Sequence, residues 1–296
     1  MKLALGTVQF GLDYGVTNHG GRTDADEAAR ILDSARAAGI DLLDTASLYG
    51  CSEQVLGECG VAAHGWRVVT KTLQFKGEGV GPAQVHLFAD ALEASFAKLG
   101  TQRLYAVLVH HAPDLLAAGG ALLYARLQQL KQEGRIAKIG FSAYDGATIE
   151  QVLARYPVDL VQLPMNVLDQ RLPASGALER LQRHGVEVHV RSAFLQGLLV
   201  GPADALPPHL EPLAARLARF GEVAAQAGMS RAGLALAYLR QMPQVSQIVL
   251  GVNSEAQLQQ CVRAYHEPQP QGVDFSLFRC DDSALVDPSR WPPKAP

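Results

Sequence analysis

The feature of this sequence that most limits its fold is an alternation that continues almost to its end. Short apolar runs at 2–6, 40–44, 67–71, 104–110, 136–141, 159–163, 186–190 and 246–250 are separated by stretches of helical periodicity. Several runs are continuous Val/Ile/Leu segments, the pattern of parallel strands buried on both faces. The segments 24–38, 83–99, 121–133, 147–155 and 177–184 read as helices, and a longer one over 211–241 is broken near Gly228-Met229-Ser230. Thr23, Asp145, Ser230 and Ser254 stand where N-caps are expected, and Gly100, Gly134 and Gly185 where helices end. Eight strands, each followed by helical material, predict a (β/α)8 barrel of the α/β TIM-barrel class. A doubly wound open sheet is the competing architecture, but it often carries a glycine fingerprint after its first strand. Here "LALGTVQFG" contains no GxGxxG, and "GEGVG" at 77–81 reads as a flexible loop.

At 296 residues the chain suits one barrel domain, with the barrel over about 1–266 and an irregular, proline-rich tail over about 267–296. Phe275, Phe278 and Trp291 predict that this tail folds over one end of the barrel. A content of 48% apolar and 19% charged residues supplies a core, and a net charge of −3 offers no basic face for nucleic acid. No run approaches the ~18 apolar residues of a membrane span, and the first residues read as a strand rather than a secretion signal. Cys51, Cys59, Cys261 and Cys280 form no CxxC and no metal-like spacing with histidine. No metal site is expected, and the thiols are read as free in a reducing cytoplasm.

In barrels of this kind the chemistry gathers where strands end and the following loops begin. Those ends carry Asp44, Lys71 and His110-His111, with Tyr49 of "LLDTASLYG" on the loop beyond the second strand. Each has an ordinary explanation alone: a helix cap, a solvated lysine, a packed tyrosine. Together, on three consecutive strands, they converge on one rim. An ammonium beside a phenol stabilises the phenolate, a carboxylate keeps the ammonium charged and placed, and an imidazole can orient a substrate oxygen. This is apparatus for delivering a proton to a carbonyl oxygen, and it lacks a hydride. No thiol, serine elbow or metal cluster offers another reactive centre, so a bound cofactor is implied.

The segments "GIDLLDTASLYGCSEQVLGE", "VVTKT" and "LYAVLVHHAPD" resemble the aldo-keto reductase superfamily, and the likeness runs along nearly the whole chain. The resemblance implies a TIM barrel that binds NADP or NAD in extended form and reduces a small-molecule aldehyde or ketone to an alcohol. It maps a catalytic tetrad onto Asp44, Tyr49, Lys71 and His110: Tyr49 as general acid, Lys71 as its modulator, Asp44 as the partner of Lys71, and His110 orienting the carbonyl. Ser142 and Gln162 resemble the residues that hold the nicotinamide carboxamide, and Thr7 is assigned to the cofactor with them. In "VRSAFLQGLL", Ser192, Leu195 and Gly197 look like the loop that cradles the pyrophosphate. In "IVLGVNSEAQLQQC", Gly251, Asn253, Ser254 and Gln257 lie on the segment after strand eight, where a helix N-terminus can accept phosphate. Phe10, Phe75, His111 and Trp291 are the expected substrate-pocket residues.

The chain departs from the family pattern at three places. Ala143 stands where an asparagine is usual, Arg191 where an aromatic ring stacks on the nicotinamide, and 251–261 lacks the cation that grips a 2′-phosphate. Weak discrimination in favour of NADPH, or a preference for NADH, is therefore expected. Arg191 is expected to contact the cofactor and to favour its reduced, uncharged form. The alternatives are that it turns away to a carboxylate, or binds an anionic group of the substrate or the pyrophosphate. His111, Arg191 and an aromatic content of 6% point to a polar, sugar-like substrate. Two other functions stay open: a redox-neutral isomerase or lyase recycling a bound nicotinamide, and a non-catalytic binding or regulatory subunit. The intact tetrad speaks against the second.

Overall fold

The computed structural model describes residues 1–18, 20–76, 79–201 and 206–292. Its strands are β1 (Leu3–Gly6), β2 (Leu42–Asp44), β3 (Arg67–Lys71), β4 (Leu104–Val109), β5 (Ile136–Ser142), β6 (Leu160–Pro164), β7 (Glu187–Arg191) and β8 (Val245–Gly251). Each pairs in parallel with the next, and β8 closes on β1 with Leu3 opposite Ile248 and Gly6 opposite Gly251. The predicted TIM barrel is present, and its strand ends lie within two residues of those expected.

The two-residue period of a strand sorts the side chains into two layers. Ala4, Leu42, Val69, Ala106, Leu108, Leu160 and Val249 form a small cluster inside the barrel. Leu5, Leu43, Val107, Phe141, Val161 and Val190 point outward into a larger core shared with the helices. Continuing the inward set by one step along each strand reaches Asp44, Lys71, His110, Ser142, Gln162 and Arg191. A polar layer therefore caps the apolar interior at the C-terminal end of the strands.

The helices Ala25–Ala37, Pro82–Leu99, Gly120–Gln132, Gly146–Leu153 and Ala177–Arg183 lie where expected. The long helical stretch splits into a 3-10 turn at Pro208–Leu213 and the helices Ala214–Gln226 and Arg231–Arg240. The break has a cause: Gly228 is left-handed, and the Ser230 side chain accepts the Gly233 N–H to start the next helix. Asp145 and Ser254 cap their helices in the same way. One cap is corrected. Asp24, not Thr23, begins the first long helix, its carboxylate accepting the Glu27 N–H at 2.8 Å. The short helices Val8–Gly11, Ser52–Glu58, Pro113–Leu116 and Arg171–Ala174 were not anticipated, because one or two turns show no readable periodicity.

The tail forms short turns at Phe275–Phe278, Ser283–Val286 and Pro288–Arg290. Phe275 and Phe278 are buried, the Cys280 N–H donates to Leu168 O at 2.9 Å, and Gln170 Nε2 donates to Phe275 O at 2.7 Å. The tail therefore seats on the loop beyond β6. Within the "GEGVG" stretch, residues 77 and 78 lie outside the described residues, and Gly81 leads into helix Pro82–Leu99. Among the described residues no helix is long and apolar enough to cross a membrane.

The turn that carries Tyr49 is held by backbone contact. A Cβ on Gly11 would fall 1.7 Å from Tyr49 O and 2.6 Å from Ser52 N. Gly50 is left-handed at φ +56°, and a Cβ there would lie 2.4 Å from Gly11 O. Gly11→Ala must push these backbones apart, which is expected to cost roughly 1–3 kcal/mol of stability. Urea unfolding measures it, and an unchanged midpoint would show that the Tyr49 turn is free to shift.

Candidate active site

β2 and β3 deliver an acid and a base to the same point. Lys71 Nζ lies 2.9 and 2.8 Å from the two Asp44 carboxylate oxygens and donates to Thr45 O at 2.8 Å. Both side chains are almost wholly buried. Burial works against the Lys71 charge, but Asp44 and the Tyr49 hydroxyl more than compensate and hold its pKa above the ordinary value. Lys71 is therefore an ammonium at neutral pH. Its Nζ lies 4.9 Å from the centre of the half-exposed Tyr49 ring.

His110 meets Tyr49 edge-on, with ring centres 6.2 Å apart, so the side chains of Asp44, Tyr49, Lys71 and His110 are brought together. Burial, with the Lys71 charge beside it, pushes the His110 pKa from 6.5 down to about 3. The imidazole is neutral, and its buried Nδ1 has no hydrogen-bond partner among the described residues. A neutral imidazole can donate one N–H to a substrate oxygen without itself adding a charge.

Gln162 reaches the tetrad from β6. Its Nε2 donates to Asp44 Oδ1 at 2.7 Å, while its buried Oε1 has no partner among the described residues. That acceptor, beside buried Ser142, suits the N–H2 of a carboxamide, as the sequence comparison of these two residues implied. The loop after β7 is strained. Ser192, Leu195 and Gln196 are left-handed at φ +60°, +47° and +53°, and Gly197 at φ +96° packs against Thr17. Such backbone is costly for residues with a Cβ and collects at ligand sites.

The family model described as the aldo/keto reductase family matches residues 2–273. The chain belongs to that family. It is accordingly an NAD(P)-dependent oxidoreductase, of a family that reduces carbonyl groups. This aldo-keto reductase is 25% identical over 193 residues to aldo-keto reductase str7 of Strobilurus tenacellus, covering 63% of this chain and 56% of that protein. It is 26% identical over 293 residues to L-glyceraldehyde 3-phosphate reductase of Escherichia coli (strain K12), covering 86% of this chain and 83% of the other. Its fold matches the holo form of aldo-keto reductase AKR11C1 from Bacillus halodurans with a TM-score of 0.74, 23% identity, and coverage of 98% and 95% of the two chains.

The structure places the other expected site residues of this aldo-keto reductase as follows. Thr7 is fully buried, its hydroxyl donating to Asp44 O at 3.0 Å and accepting from Ser52 Oγ at 2.8 Å. It braces Asp44 from behind. Phe10 is fully buried and packed into the larger core. Trp291 packs edge-on against His209, with ring centres 6.0 Å apart. Phe75 and His111 meet through a residue not singled out in the sequence. Buried Asp114 bonds His111 Nδ1 at 2.8 Å and accepts the Phe75 N–H at 2.9 Å. The spacing in "HHAPD", one helical turn, was the available signal.

After β8, Ser254 Oγ accepts the Gln257 N–H and Gln257 Oε1 accepts the Asn253 N–H, beyond exposed Gly251. The next free donor, the Glu255 N–H, goes to Glu27 Oε1 at 2.6 Å. That bond holds the Glu27 carboxyl below its ordinary pKa, so a fixed negative charge sits at the N-terminus of helix Glu255–Tyr265.

The neutral His110 has a consequence for stability. Above pH 6.5 it is unprotonated in both folded and unfolded chains and contributes nothing. As pH falls from 6.5 toward about 3, the unfolded chain binds a proton that the folded site refuses, and stability is lost. His110→Asn is expected to reduce the drop in urea stability between pH 7 and about 4.5. An identical drop in both proteins would place the acid sensitivity elsewhere.

Proposed function

We propose that this aldo-keto reductase reduces the carbonyl group of a small, polar aldehyde or ketone to an alcohol, with Tyr49 as general acid. The carrying observation is the Lys71 ammonium held between the Asp44 carboxylate and the Tyr49 ring. A nicotinamide dinucleotide, when bound in its reduced form, supplies the hydride. Gln162 and Ser142 would hold its carboxamide, and the strained loop 192–197 its pyrophosphate. Neutral His110 would hold the substrate oxygen, and Tyr49 would give that oxygen its proton as charge develops there. Lys71 then stabilises the phenolate left behind, and Asp44 keeps Lys71 in place. The relative named L-glyceraldehyde 3-phosphate reductase supports a small hydroxylated substrate.

Tyr49→Phe retains the ring and removes the hydroxyl. It is expected to cut carbonyl reduction about 10²–10⁴-fold while leaving the dinucleotide Kd nearly unchanged. A variant that kept more than half of the wild-type rate would sink the assignment. Lys71→Met should be as damaging, since it also strands the buried Asp44 charge.

We infer further that NADH is the preferred cofactor. The Glu27 carboxylate already accepts the N–H that a 2′-phosphate would need, and its charge repels a dianion. Calorimetric titration should give a tighter Kd for NADH than for NADPH, and Glu27→Gln should narrow that gap several-fold. A wild-type Kd that is tighter for NADPH than for NADH would overturn this inference.

A further inference from the structure

We propose that Arg191 is the anchor for an anionic group, a carboxylate or a phosphoryl group, carried by the carbonyl substrate. The inference rests on the reading of the tetrad as a carbonyl-reducing site.

The argument begins with charge. Of the groups around His110, the Lys71 ammonium has its own carboxylate in Asp44, and Asp114 is engaged by the His111 ring. Arg191, the last residue of β7, has no carboxylate within 4.0 Å among the described residues. It lies close enough to His110 and Tyr14 that its charge acts on both. Among the described residues, the Arg191 charge on this rim therefore has no carboxylate beside it.

Hydrogen bonding points the same way. The guanidinium carbon lies over the Tyr144 ring, 4.2 Å from its centre. Its five N–H donors form a planar fork, the shape that suits a two-oxygen acceptor. Nη2 is buried and has no acceptor among the described residues. A buried charged donor without a partner is costly, and the chain tolerates it where a ligand completes the bonding. The notion that Arg191 turns away to a carboxylate is thus not what the geometry holds. An anion bound there would sit on the same rim as the Tyr49 phenol and the His110 imidazole, so one small molecule can carry both the anion and the carbonyl.

The test uses matched pairs: 4-oxobutanoate with its methyl ester, and glyceraldehyde 3-phosphate with glyceraldehyde. The readout is the ratio of kcat/KM for the anionic over the neutral member, so a loss common to both cancels. A charge-assisted hydrogen bond corresponds to a factor of roughly ten to a hundred. Wild type is expected to favour the anionic member of one pair at least tenfold, the pair identifying the carboxylate or the phosphate. Arg191→Gln should reduce that ratio at least tenfold, and Arg191→Lys should recover part of it. A ratio near one in wild type, or one unchanged in Arg191→Gln, overturns the proposal. So does an unchanged ratio with a weakened NADH Kd, which would assign Arg191 to the cofactor.

A second arm needs no turnover. Thermal melting with unreactive 4-hydroxybutanoate and glycerol 3-phosphate, each against its uncharged amide or glycerol, should show stabilisation by an anion in wild type that Arg191→Gln loses. Equal response of both proteins overturns the proposal. If no carbonyl in the panel is reduced but the anion still binds through Arg191, it is the carbonyl-reducing reading that has failed.

Discussion

Taking an ammonium and a carboxylate out of water costs several kcal/mol per ion, and only close geometry with every remaining donor and acceptor engaged recovers it. The Lys71–Asp44 pair meets that condition through the barrel itself. Both Asp44 oxygens face Lys71, and the third Lys71 contact is the Thr45 carbonyl. Gln162 comes from β6 to Asp44 Oδ1, and the Asp44 backbone carbonyl accepts both the N–H and the hydroxyl of Thr7, the residue directly after β1. Four strands are thus tied at one residue, and none of these contacts can form unless the strands are in register. The site and the barrel closure are one construction.

That dependence explains what was legible in the sequence. Parallel strands buried on both faces are unbroken apolar runs, so all eight could be read directly. An Asp or Lys at the end of such a run is conspicuous because inward alternation gives it nowhere to go but the rim. Contacts between distant segments could not be read. Glu27 and Glu255 are joined across 228 positions, and each looks like an ordinary acidic residue in a first helical turn. Helix Val8–Gly11, which buries Phe10, is a single turn and leaves no period to read.

A polar floor under the apolar layer was also invisible. Tyr105, Lys138, Glu187 and His189 come from β4, β5 and β7, within segments that read as apolar or exposed. Tyr105 and Lys138 bond Glu187, and His189 Nε2 bonds its Oε1 at 2.7 Å. Burial alone would raise the Glu187 pKa, but these donors hold it down to about 2, so it is a carboxylate throughout the neutral range. The interior is therefore polar at both ends and apolar between. Its lower end pairs Lys138 with Glu187, whereas at the upper end the Arg191 guanidinium has no carboxylate partner among the described residues.

That asymmetry bears on specificity. Near the chemistry, the fixed charge left over is the Arg191 cation. At the N-terminus of helix Glu255–Tyr265 the fixed charge is the Glu27 anion, already seated on a backbone N–H. On the proposed reading the two act on different molecules. The cation draws an anionic substrate to the rim, and the carboxylate repels a cofactor that brings an extra phosphate. Neither effect needs a rearrangement of the barrel, because Arg191 is held by Tyr144 and Glu27 by Arg30 and Glu255. Selectivity in this chain would thus come from charges placed by rigid elements, with the strained backbone of 192–197 confined to the loop between them.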